Sequence, residues 1–67
     1  MKANELKAGY RYWDKMCNVY YTGRVEMHGH YDAREGWKEE MCHVFNGQFG
    51  GPEVYYTEAD LERLVER

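Results

Sequence analysis

The tail constrains this 67-residue chain most, because residues 41–67 read as strand, turn, strand and capped helix in immediate succession. Val44 and Phe45 close one apolar run, Asn46-Gly47-Gln48-Phe49-Gly50-Gly51-Pro52 turns the chain, and Val54-Tyr55-Tyr56 opens another. Thr57 ends that strand and starts a helix. Its hydroxyl suits the free amide of Asp60, and the Asp60 carboxylate suits the Thr57 amide in return. Tyr56 and Leu61 flank this cap as a hydrophobic staple. Leu61, Leu64 and Val65 then fall on one stripe at helical spacing, which predicts a C-terminal α-helix over about 57–66 laid across a sheet.

Upstream, the pattern has the period of strands. Tyr10 to Trp13 is a short strand, with Asp14-Lys15 as a tight connection that lacks the usual glycine. From Cys17 the alternation is clean: Cys17, Val19, Tyr21, Gly23, Val25 and Met27 share one face, which is expected to be the core face. Gly23 falls inside this pattern without shifting its parity, which predicts a bent strand rather than a turn. Residues 28–36 are polar with glycines near both ends and are expected to form a mobile loop. The next strand, residues 37–45, places Trp37, Met41 and Phe45 on one face and Cys42 and Val44 on the other, so it should lie centrally. The expectation is therefore one α+β domain over residues 1–67, mainly β, with residues 1–7 flexible. Three to five strands would form either a small antiparallel sheet or an SH3-like bent barrel, with the C-terminal helix added.

A chain of this length buries little surface, so its core must be efficient or supplemented by a disulfide, a metal or a second subunit. Isoleucine is absent and leucine sparse, which leaves the packing to seven tyrosines, two tryptophans, two phenylalanines, valine and methionine. No apolar stretch is long enough to span a bilayer and no leader pattern opens the chain, so a cytoplasmic protein with two reduced cysteines is expected. The net charge of −3 is uneven. Residues 1–24 carry five bases against two acids, and the remainder carries four bases against ten acids. Such a distribution is either an ordinary solvated surface or an acidic face complementary to a basic partner.

Chemistry at a site is hard to find. The chain has no serine, so a serine triad is excluded. Cys17 and Cys42 lie in apolar alternating strands, where cysteine is usually a small hydrophobe. With His28, His30 and His43 they could in principle make a zinc site, but no common ligand spacing is present. Glu39 and Glu40 are strand neighbours and point apart. The Gly47-to-Gly51 segment leads to Pro52 and a strand, with no lysine, and so is a turn rather than a phosphate cradle. Tyrosines among Arg11, Lys15 and Arg24 allow a small nucleic-acid-binding barrel, against which the negative charge stands.

What remains is a non-catalytic protein–protein interaction module, expected to be an inhibitor or modulator that blocks a surface of a larger complex. A phage or mobile-element protein acting against a host defence would suit this size and charge. The candidate contact residues are Tyr20, Arg24, Tyr31, Glu58, Glu62 and Glu66, with no catalytic group, metal or cofactor. The expected partner is a protein with a basic surface, and a homodimer is also open. A nucleic-acid-binding barrel is the alternative and a minimal zinc module the second.

Overall fold

The computed structural model describes residues 1–15 and 17–66. Its five strands, β1 (Arg11–Asp14), β2 (Cys17–Asp32), β3 (Gly36–Gly47), β4 (Val54–Tyr56) and β5 (Leu64–Glu66), form one antiparallel sheet in the order β4-β3-β2-β1-β5. The edge strands β4 and β5 have no mutual pairing, so the sheet is open and the barrel alternative fails. Among the described residues no helix is long and apolar enough to cross a membrane.

The expected C-terminal helix is corrected to a single turn. The cap forms as read: the Asp60 amide donates to Thr57 Oγ1 and the Thr57 amide donates to Asp60 Oδ2, both at 3.2 Å. Leu61 N–H bonds back to the Thr57 carbonyl at 3.1 Å, and residues Asp60–Arg63 make a short 3-10 helix. Leu64 is then extended, and β5 pairs with β1 through Asp14↔Leu64, Trp13↔Val65 and Tyr12↔Glu66. Tertiary pairing overrides a helix too short to be stable alone, because β5 satisfies the outer edge of β1. Strand parity then replaces helical parity. Leu61 and Leu64 are fully buried, whereas Val65 is 53% exposed.

The core lies on one face of the sheet. It joins Tyr12, Val19, Tyr21, Phe45, Tyr56, Leu61 and Leu64, with Met1, Ala3 and Leu6 packed against it. Phe45 is the hub: its ring lies 4.9 to 6.2 Å from the centroids of Tyr56, Tyr21 and Tyr12 in tilted or edge contacts. The amino-terminal residues and the Leu61 turn make a second layer over this face of the sheet. A 3-10 turn spans Ala3–Glu5, the Met1 nitrogen donates to the Leu61 carbonyl, and the Lys7 amide donates to Tyr12 Oη.

Polar groups tie β1, β4 and the second 3-10 turn together. Tyr56 Oη donates to Asp14 Oδ2 at 2.5 Å, and Arg63 bonds Asp60 while approaching Asp14. Burial pushes the Tyr56 phenol up, and the adjacent Asp14 carboxylate adds to the shift. A phenol raised in the folded state contributes stability that is present below the unfolded value of about 10 and lost as pH rises beyond it. Tyr56→Phe should therefore flatten the alkaline limb. Melting temperatures recorded across that limb should fall less steeply for the variant than for wild type.

Gly23 bends β2 as the unbroken parity predicts. Tyr21 pairs with Phe45 and Val25 with His43, so residues 22–24 bulge opposite Val44 alone. Gly23 has φ +89°, and Thr22 Oγ1 fills the bulge by donating to the Val44 carbonyl at 2.7 Å. The even number of extra residues leaves Val25 on the same face as Tyr21. It also lets β2 and β3 continue as a pair beyond the rest of the sheet.

Candidate functional site

Beyond the bulge, β2 and β3 form a two-stranded arm. β1 pairs only with residues 17–20 of β2, and β4 only with residues 43–45 of β3, yet the β2–β3 register runs on from Val25↔His43 to Asp32↔Gly36. Residues 28–36, expected to be a loop, are thus mostly strand, and only Ala33-Arg34-Glu35 turns. The turn is built locally. Asp32 Oδ1 accepts from the amides of Arg34 and Glu35 at 2.7 and 3.1 Å, and Gly36 closes it at φ +82°, which fits a three-residue hairpin loop. Those two amides hold the Asp32 carboxyl below its ordinary range.

The arm has two unlike faces. Arg24, Glu26, His28, His30, Lys38 and Glu40 make a solvated ladder of charge: Arg24 pairs with Glu26 and Glu53, His28 with Glu26, His30 with Glu40, and Lys38 with Glu35. The other face continues the core side of the sheet, rung by rung: Val25/His43, Met27/Met41, Gly29/Glu39 and Tyr31/Trp37. The second layer covers His43 at the base but does not reach the outer rungs. Tyr31 is 75% exposed, Trp37 65%, Met27 55% and Met41 50%. Val25 and Met27, expected in the core, are therefore on an open face, and Cys17 is exposed as well.

Trp37 is seated rather than loose. A Cβ placed on Gly29 would lie 2.1 Å from Trp37 Cζ2, so the indole rests on the space that only glycine leaves. Its Nε1–H donates to Glu39 Oε1 at 3.4 Å. An aromatic ring held in this way over a cross-strand glycine loses little conformational freedom on contact. Methionine on either side supplies a surface that adapts in shape.

The residues singled out in the sequence do not converge. Tyr31 alone lies on the apolar face of the arm. Tyr20 pairs with Arg11 and Asn46 within the sheet, and Arg24 sits in the bulge, held by Glu26 and Glu53. Glu58 and Glu62 line a shallow groove with Met1, Lys2, Ala3, Asn4 and Ala59, whereas Glu66 is on edge strand β5 opposite Tyr12. The three acidic candidates are therefore divided. A second groove, of about 420 Å³, lies at the base of the arm between Glu40, Met41, Thr57, Glu58 and Ala59.

Among the described residues, no three His, Cys, Asp or Glu side chains are placed to hold one metal ion. Cys17 and Cys42 are free thiols, and burial pushes the Cys42 thiol up, away from a reactive thiolate. His43 is buried against the Tyr21 hydroxyl, and His28 packs on the Tyr55 ring at 4.0 Å. Trp37, Met27, Met41 and Val25 were not among the expected contact residues. A signal for them was present, since Val25/His43, Met27/Met41 and Tyr31/Trp37 are each equidistant in sequence from Arg34. No known protein family, curated protein or solved structure matches the chain.

Proposed function

We propose that this protein is a non-catalytic binding module, an inhibitor or modulator that acts by covering a surface of a larger protein partner with the apolar face of its arm. The observation that carries this reading is the uncovered run of Val25, Met27, Tyr31, Trp37 and Met41, with Trp37 already seated on Gly29. Contiguous exposed apolar surface on a small protein marks an interaction site far more often than a scatter of single residues does. Trp, Tyr and Met are also the residues enriched at interface centres. Glu39 within the face and Glu58 at its base favour a partner with basic groups among its apolar ones.

The test is affinity capture from cells that produce the protein, followed by binding kinetics with the captured partner. Trp37→Ala should weaken capture by about tenfold or more, as a central aromatic anchor does, and Tyr31→Ala should act mainly on dissociation. Reversing Glu58 and Glu62 to lysine should instead slow association, and the difference should fade as salt rises. A partner retained at wild-type strength by folded Trp37→Ala and Met27→Lys would remove the arm from the reading.

A further inference from the structure

A long two-stranded arm with one apolar face is poorly supported by its own chain. An isolated hairpin is marginal in water, and three or more strands or a packed second layer are what make such a ribbon stable. Here the second layer stops at the base of the arm. The five exposed apolar residues of the face, at their fractional exposures, offer at most roughly 600 Å² per copy. Two such faces together reach at most about 1,200 Å², the lower limit for a specific interface.

We infer that two copies of this chain pack arm face against arm face, related by a twofold axis running across the arms so that the tip of each lies over the base of the other. The inference rests on the binding face proposed above and adds its regulation: self-association masks the surface that a partner would use.

Three observations select a second copy, and this orientation of it. The first is shape. The rungs run from Val25/His43 at the base, through Met27/Met41 and the small-residue rung Gly29/Glu39, to Tyr31/Trp37 at the tip. Tip over base sets large side chains against small ones, whereas tip on tip stacks four aromatic rings and leaves the valine rungs apart. The second is the groove of about 420 Å³ at the base, walled by Glu40, Met41, Thr57, Glu58 and Ala59, towards which the tip of the other arm would point.

The third is charge. Arg34 crowns the turn, and among the described residues its side chain makes no hydrogen bond or ion pair. Glu58, at the base groove, is equally without a partner among the described residues. Tip over base carries each Arg34 towards the Glu58 end of the other copy. Tip on tip would bring the two Arg34 groups together. Glu39 shares the Gly29 rung, which this orientation sets against the methionine rung of the other copy, and its carboxylate already accepts from the Trp37 indole N–H. An isologous contact of this kind closes on itself and forms a dimer rather than a fibre.

The experiment is sedimentation of the full chain from low to high micromolar concentration. Wild type should shift from monomer to dimer, and Met27→Lys should raise the dissociation constant by about tenfold or more with an unchanged circular dichroism spectrum. Arg34→Glu and Glu58→Arg should each weaken the dimer, and combining them should restore it. A wild type that stays monomeric throughout, or a dimer indifferent to Met27→Lys, overturns the inference. Failure of the double variant to recover overturns the tip-over-base orientation. A monomer whose partner capture is still lost with Trp37→Ala refutes the dimer alone, and a dimer whose capture ignores Trp37→Ala refutes the binding reading alone.

Discussion

Leu61→Ala and Leu64→Ala should each lower stability by about 2–5 kcal/mol, while Val65→Ala should stay within about 0.5 kcal/mol. Both leucines are fully buried against Tyr56 and Phe45, and Val65 stands half exposed on edge strand β5. A domain of this size has only about 3–5 kcal/mol from its core, so either leucine variant should lose a large share of its stability. Urea denaturation of the three variants is the measurement. Its contrast separates the observed turn-then-strand ending from a docked helix, in which all three positions would share one buried stripe. Comparable losses at 61, 64 and 65 would restore the helix.

Gly23→Val should cost about 1–3 kcal/mol from backbone strain alone, since a β-branched residue is forced to φ +89°. Steric conflict adds to this. A Cβ at residue 23 would lie 3.0 Å from the Ala8 Cβ, and the backbone there is held by the Gly9 amide bonding the Tyr21 carbonyl at 2.7 Å. The damage should also be visible in the arm. Hydrogen exchange at residues 25–31 should accelerate more than at residues 17–21, because the bulge sets how the arm leaves the sheet. A variant with wild-type stability would mean that the chain does not bulge at this position.

How much of this was legible in the sequence depended on whether the controlling signal was local. The Thr57–Asp60 cap and the bend at Gly23 each follow from residues a few positions apart, and each is found. The middle strand, in contrast, is β2, and β3 has a strand on both sides only at residues 43–45. The helix beyond the cap was misread because its fate is decided by the free edge of β1, some fifty residues away in the chain, which accepts Leu64–Glu66 as a strand. The arm was misread for a different reason. Polar residues at 28, 30, 32, 34 and 35 look like a loop, but the first three are simply the wet face of a ribbon whose other face carries Gly29 and Tyr31. Of the expected contact residues, Tyr31 lies on the proposed face and Glu58 at its base. Glu62 and Glu66 are separated because the segment with helical spacing becomes a turn and then a strand, while Tyr20 lies in the body of the sheet and Arg24 in the bulge. Alternation identifies an apolar face but not what covers it, so Val25 and Met27 looked the same as Val19 and Tyr21.

The even number of extra residues in the bulge has an evolutionary corollary. Every rung of the arm joins one residue of β2 to one of β3, and no rung beyond Met27/Met41 borders the second layer. Reach is thereby uncoupled from foldedness. Lineages could lengthen or trim the hairpin by matched pairs of residues on either side of Arg34, in steps of about 7 Å for each two rungs, without disturbing Phe45 and its neighbours. A matched change of one rung would turn the tip over and exchange its greasy side for its ionic side. Relatives of this chain should accordingly differ in hairpin length by even rungs, with the base conserved and the tip free to follow whatever it touches.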